Sequence, residues 1–185
     1  MTGVLEPPRR LQREDDRTTF ASGAPELDTW IREFAFQNQK AHNSVTYVTV
    51  RDGVVLGYYA LAMSAYSRDS APEGLKKGRP QEIPCLLLAR LAVDSRAKGR
   101  GVGAALLRDA IERSFQLSER VGAAALLIHC RDAEARSFYL ANGDFVQSPV
   151  EPMHVLLSMK AIARLITSGH PGARILNAGE TRARP

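Results

Sequence analysis

Glycines and basic residues alternate in Arg96-Ala-Lys98-Gly99-Arg100-Gly101-Val102-Gly103-Ala104, directly after an apolar run and directly before an amphipathic stretch. That order predicts a strand, an anion-binding loop and a helix. Such a loop presents free backbone N–H groups, and the helix start adds partial positive charge, so a phosphate can be held there. Gly99, Gly101 and Gly103 permit close backbone approach and positive φ. Arg96, Lys98 and Arg100 can neutralise a diphosphate. A pyrophosphate-bearing cofactor is therefore expected here, although a glycine cluster alone also fits a plain tight turn. The Gly-x-x-x-x-Gly-Lys-[Ser/Thr] pattern of an NTPase loop is absent. Counted from Gly101 and Gly103, the third position of a dinucleotide fingerprint, which needs glycine or alanine, holds Leu106.

Other residue types capable of chemistry are fewer. Cys85 and Cys130 fall in or beside expected strands without a Cys-x-x-Cys spacing, which predicts reduced, buried thiols rather than a disulfide or metal site. His129, at an expected strand end, is a candidate proton acceptor; a satisfied structural histidine fits the same position. No Glu or His stands in an identifiable catalytic motif, so a general base is left unassigned.

The elements that must position these residues follow from the pattern. Residues 1–9 are expected to be unstructured, and 11–20 to form a mostly polar strand and turn. Ser22, then Pro25 and Glu26, signals a helix start. Leu27, Trp30, Ile31, Phe34 and Ala35 then mark one helical face directed at the core. Strands are expected at 45–50 and 54–62 about Arg51-Asp52-Gly53, a hairpin signal. A long loop covers 66–82, with Lys76, Lys77 and Arg79 clustered in it. Buried strands follow at 86–93 and 123–130. Helices are expected from 101 to about 120 and at 133–141, and a closing strand at 155–160.

The chain has 185 residues, of which 44% are hydrophobic, enough for one domain with a full core. No apolar run approaches the ~20 residues that span a bilayer. The start, Met1-Thr-Gly-Val-Leu-Glu-Pro-Pro8, lacks the basic flank and apolar stretch of a signal peptide. A cytoplasmic location is expected. The net charge of +5 is concentrated at the end: Lys160, Arg164, Arg174, Arg182 and Arg184 face only Glu180. Residues 161–185 are expected to be a short helix and a basic flexible tail, behind a domain spanning 1–160. Overall charge is thus no argument for nucleic acid.

The loop at 98–103 resembles the pyrophosphate loop of the GNAT N-acetyltransferases, with Lys98 where the family usually carries Gln or Arg. Ala135-Arg-Ser-Phe138-Tyr139-Leu-Ala-Asn142-Gly143-Asp-Phe145 resembles the family's tyrosine-bearing helix and the turn after it, here one residue longer than the usual Phe-Gly-Phe. Phe20-Ala-Ser-Gly23-Ala-Pro-Glu-Leu27-Asp-Thr-Trp30, Gly57-Tyr-Tyr-Ala-Leu61 and Ala89-Arg-Leu-Ala-Val93-Asp look like one subgroup, the GNAT toxins of bacterial toxin–antitoxin pairs. The resemblance covers roughly residues 10–160 and implies an α/β fold. Its sheet is mixed and largely antiparallel, flanked by helices, with two central parallel strands that splay apart.

The resemblance also implies an acetyl-CoA-dependent N-acetyltransferase, without a metal, that acetylates the amino group of aminoacyl-tRNA and blocks translation. Leu91, Ala92 and Val93 would hold the pantetheine arm through their backbones, and Lys98, Gly99, Arg100, Gly101, Val102, Gly103 and Ala104 the pyrophosphate. Tyr139 matches the tyrosine that protonates the leaving thiolate; packing beside Phe138 is its other reading. Lys40, Lys76, Lys77, Arg79 and Arg90 could contact tRNA phosphates, or simply be solvated. An antitoxin of the ribbon-helix-helix class and a homodimer are implied as well. The rival readings are acetylation of a protein N-terminus or small amine, and a CoA-binding co-repressor module without turnover.

Overall fold

Residues 3–167 are described by a computed structural model. Asp52 (φ 51°) and Gly53 (φ 77°) both adopt the left-handed conformation that a two-residue hairpin turn needs. They join β2 (Val45–Arg51) to β3 (Val54–Ser67) in antiparallel register. β3 runs on past the expected end, because Tyr66 continues its buried face. The segment expected as a loop over 66–82 thus opens as strand. It then forms a 3-10 turn (Arg68–Ser70) and α3 (Glu73–Lys76), which buries Leu75, and it closes in β4 (Glu82–Val93).

β4 contains the irregularity that shapes the site. Ala60 of β3 faces Arg90, but Leu61 faces Leu88, leaving Ala89 as an extra, unpaired residue. Such a bulge bends a strand and shifts its alternation. Before the bulge Leu86 and Leu88 point into the largest core cluster; after it Leu91 and Val93 do, while Ala92 turns to the opposite face. β5 (Ala125–His129) pairs with β4 in parallel only through Cys85, Leu86 and Leu87 against Ala125, Leu126 and Leu127. Beyond Leu87 the two strands part, as the expected splay requires.

With β1 (Arg9–Arg10), β6 (Val146–Gln147) and β7 (His154–Ser158), the sheet has seven strands in the order β1-β2-β3-β4-β5-β7-β6. β7 is antiparallel to β5, and β6 is a short edge strand that no sequence signal marked. One face carries α4 (Val102–Val121), α5 (Ala133–Ala141) and α6 (Met159–Thr167) over the largest cluster. The other face carries two separate clusters. One lies under α1 (Pro25–Thr29), a π turn (Trp30–Phe34) and α2 (Ala35–Lys40); the other lies under α3. Pro25 does sit in the first turn of α1, while the Ser22 hydroxyl donates to Asp28 at 2.6 Å.

Three expectations are corrected. Residues 3–9 are not unstructured: the Glu6 N–H donates to the Val50 carbonyl at 2.8 Å, Arg113 donates to the Pro8 carbonyl, and β1 is Arg9–Arg10. Pro7 and Pro8 have no N–H to donate and suit such an edge. Residues 11–20 do not form a strand; their buried apolar residues are Leu11 and Phe20, too few for alternation, and only Asp16 bridges to Val54. The closing strand ends at Ser158, after which α6 takes over. The tail beyond Thr167 lies outside the described residues. Among the described residues no helix is long and apolar enough to cross a membrane.

Candidate active site

Where β4 and β5 part, a cleft of about 680 Å³ opens. Leu91, Ala92 and Val93 form its strand wall, and Lys98, Gly99, Gly101, Val102, Gly103 and Ala104 its loop and helix end. On the other side stand Arg131 and Asp132 and the α5 residues Phe138 and Tyr139. Gly99 (φ 71°) and Gly101 (φ 74°) are left-handed, where a side chain would be strained. Gly103, expected to share that conformation, does not. It lies in the first turn of α4, and a Cβ there would meet Phe138 and Val93 at 3.6 Å, an ordinary contact. The first bond of α4 runs from Ala105 N–H to the Gly101 carbonyl at 3.0 Å. The N–H groups of Val102, Gly103 and Ala104 therefore have no intrahelical acceptor at the cleft.

The cations divide differently from the sequence expectation. Lys98 lines the cleft, with its ammonium donating to the Ser22 carbonyl at 2.6 Å. Arg96 does not: its guanidinium clasps the buried Asp94 carboxylate at 2.7 and 2.9 Å. Arg100 faces a separate, smaller groove beside residues 5–8 and Thr49. Arg131 also lines the cleft, where it bonds Glu26 of α1 at 3.0 Å and Asp132 at 2.9 Å. Nothing local in the sequence marks Arg131; its one signal is that it follows the end of β5. Asp132 also caps α5 by accepting from the Ala135 N–H at 2.8 Å and so fixes the start of the helix that carries Tyr139.

Tyr139 is only 8% exposed, yet its hydroxyl bonds to no described residue. Its ring meets Phe138 and Phe145 edge-on, at 5.3 and 6.2 Å between centroids. The longer turn after α5 is accommodated because Gly143 leaves room for the Phe145 ring, which a Cβ would meet at 2.6 Å. Burial pushes the Tyr139 phenol well above its usual range, and the nearby Cys130 adds to this. The phenol is a protonated donor at neutral pH. Cys130 and Cys85 are buried and unbridged. Burial raises the Cys85 thiol to about 11, far from the range of a reactive thiolate.

The remaining candidates lie elsewhere. His129 is exposed at the end of β5 and does not line the cleft. Lys40 is exposed at the end of α2. Lys76 pairs with Glu73 at 3.3 Å, while Lys77 and Arg79 are exposed. The Arg90 guanidinium lies over the Trp30 ring, 5.1 Å from its centroid. α2, α3 and Trp30 all cover the sheet face opposite α4.

The profile of the acetyltransferase (GNAT) family matches residues 9–143. A protein of Mycobacterium tuberculosis called "tRNA-acetylating toxin" is 44% identical over 159 residues, 86% of this chain and 95% of that protein. Among solved structures, AtaT complexed with acetyl-methionyl-tRNAfMet superposes with a TM-score of 0.81 at 25% identity, covering 88% of this chain and 99% of that one. AtaTR bound with AcCoA superposes with a TM-score of 0.76 at 26% identity, covering 90% and 99%.

Proposed function

We propose that this chain, which belongs to the acetyltransferase (GNAT) family and is an acetyl-CoA-dependent N-acetyltransferase, acetylates the amino group of aminoacyl-tRNA and thereby blocks translation. The observation that carries the chemistry is the cleft between the parted strands, with the glycine loop at its end and the unbonded Tyr139 hydroxyl at its side. The likeness to a tRNA-acetylating toxin over nearly its whole length supports the acceptor.

In this reading the loop N–H groups from Gly99 to Ala104, with Lys98, hold the pyrophosphate of acetyl-CoA. The Arg100 side chain faces the other groove, so Arg100 contributes here through its backbone N–H. Leu91, Ala92 and Val93 offer the β4 edge that β5 leaves unpaired, and the pantetheine arm lies along it as a partial strand. One of their N–H groups polarises the thioester carbonyl. The neutral amine attacks, and Tyr139 hands its proton to the departing thiolate. A positioned general acid contributes about 10²- to 10⁴-fold. Arg90, Lys40, Lys76, Lys77 and Arg79 meet tRNA phosphates on the side of the sheet opposite α4.

The same reading places residues 1–160 in the catalytic domain. It gives the chain a neutralising antitoxin, of the ribbon-helix-helix class, a homodimeric state and a cytoplasmic location. The test is transfer of labelled acetyl from acetyl-CoA into a pool of charged tRNAs, with uncharged tRNA as control. Label on charged tRNA alone supports the proposal. No label, with acetyl-CoA binding confirmed, would move the acceptor to a protein N-terminus or a small amine.

A further inference from the structure

Formation of an amide from an amine releases a proton at nitrogen, and the leaving sulfur needs one. Tyr139 serves the sulfur; nothing described so far serves the nitrogen. We infer that His129, stacked on His154, takes the proton that the acceptor amine loses, from the sheet face opposite Tyr139. The inference rests on the acyl-transfer reading above.

Alternation along β5 sets the two faces. Leu126 and Ile128 pack in the cluster that contains Tyr139, and Ala125 and Leu127 pack in the opposite one. His129 follows on that opposite face. It is the last residue of β5 and stands past Leu127, the last residue to pair with β4. It is therefore at the rim of the slot where the strands part. His129 lies outside the cleft lining, so it acts on an acceptor amine that enters from this opposite face, away from Tyr139.

The side chain is also unlike a structural histidine. Its chain neighbours Ile128 and Cys130 are buried, but His129 is exposed, and its ring nitrogens bond to no described residue. Position, by contrast, is well fixed. β5 and β7 set His129 directly opposite His154, and the rings stack 4.1 Å apart at 22°. His154 is held in turn by Tyr66, whose hydroxyl lies 3.3 Å from Nδ1. His154 and Tyr66 are positioning residues in this arrangement.

The charged or titratable neighbour of His129 is His154; Tyr66 from β3 meets His154, and Glu151 and Cys85 act in turn on Tyr66. Partial cover of the ring, although the residue as a whole is exposed, and then the neighbouring His154 hold His129 below the usual imidazole value, so its neutral form is ready to accept at pH 7. The balance closes as follows. The C–N bond forms and the C–S bond breaks, with the electron pair leaving on sulfur. Sulfur takes the Tyr139 proton, the nitrogen gives one to His129, and solvent returns it to Tyr139.

The test compares wild type with His129→Asn, His129→Gln and Tyr66→Phe from pH 6 to 9, on charged tRNA and on glycine ethyl ester. Acetyl-CoA affinity and Tm are measured on each variant. His129→Asn is expected to lose about tenfold or more in kcat at pH 7 with acetyl-CoA affinity unchanged. The loss should shrink toward pH 9, where hydroxide can take the proton from the attacked nitrogen in place of His129. Tyr66→Phe should shift the acid limb of the profile and leave its plateau. Should His129→Asn misfold, His129→Gly with added imidazole decides, and recovery of rate is expected. A wild-type profile in a folded variant, or no imidazole rescue, overturns the inference. Failure on tRNA with turnover of the ester would overturn only the acceptor reading, and His129 is then judged on the ester.

Discussion

Lys98 and Ser22 meet at the lip of the cleft: the Lys98 ammonium donates to the Ser22 carbonyl at 2.6 Å. One cation thus anchors the chain entering α1 and faces the place where the pyrophosphate is proposed to lie. Lys98→Ala should raise KM for acetyl-CoA by about tenfold while kcat changes little, since a lost ground-state contact acts on binding. Steady-state kinetics with acetyl-CoA varied checks this. A fall in kcat at unchanged KM would contradict it and assign Lys98 to the chemical step.

Tyr139 gives the complementary pattern. Because its hydroxyl bonds to no described residue, Tyr139→Phe removes no internal hydrogen bond. Tm should stay within about 2 °C and acetyl-CoA affinity within about twofold, while kcat falls by about 10²-fold or more. Calorimetric titration beside single-turnover transfer separates these quantities. Near-normal turnover would return Tyr139 to the aromatic packing that Phe138 and Phe145 already provide.

The sequence shows most plainly what local pattern encodes. The Arg51-Asp52-Gly53 turn, the apolar run of β4 and the glycines before α4 each announce themselves within a few residues. Ala89 could not be seen: a bulge is a property of pairing with β3, and alanine carries no mark of it. Arg131 was missed for a similar reason, because it comes to the cleft only by following the end of β5. Nearness in sequence points Arg96 and Arg100 at the phosphate. The fold instead gives one to Asp94 and the other to a different groove. Residues 3–9 looked structureless because an edge segment paired through its backbone needs no apolar alternation.

Asp94 sets an acid limit on the fold. Its carboxylate is fully buried and accepts from the Ala21 N–H, the Arg96 N–H and the Arg96 guanidinium. Burial alone would raise its pKa; the Arg96 side chain and the two N–H groups outweigh that and hold it below the usual carboxylate range. The folded value is thus lower than the unfolded one of about 3.9, so the contribution is whole above about pH 4 and disappears as pH falls through the folded value. Asp94→Asn should cost about 2 kcal/mol at pH 7. Urea unfolding from pH 7 to 3 should show the gap to wild type closing at the acid end. A constant gap would mean that the carboxylate charge is not what holds Ala21 and Arg96.

The basic cluster near α3 makes a prediction about salt. If Lys76, Lys77 and Arg79 each neutralise one tRNA phosphate, log Kd against log salt should lose about 0.7–0.9 per contact removed. Lys76 is already paired with Glu73 at 3.3 Å, so it gives up a partner when it takes a phosphate and contributes least. Replacing all three by alanine should therefore flatten the slope by about 1.5 to 2 rather than by the full three contacts. kcat on saturating charged tRNA should remain, because none of the three lines the cleft. Filter binding across a salt series gives the slope directly. An unchanged slope would remove this loop from the interface and leave Arg90, over Trp30, and Lys40 at the end of α2 as the cations that carry the acceptor.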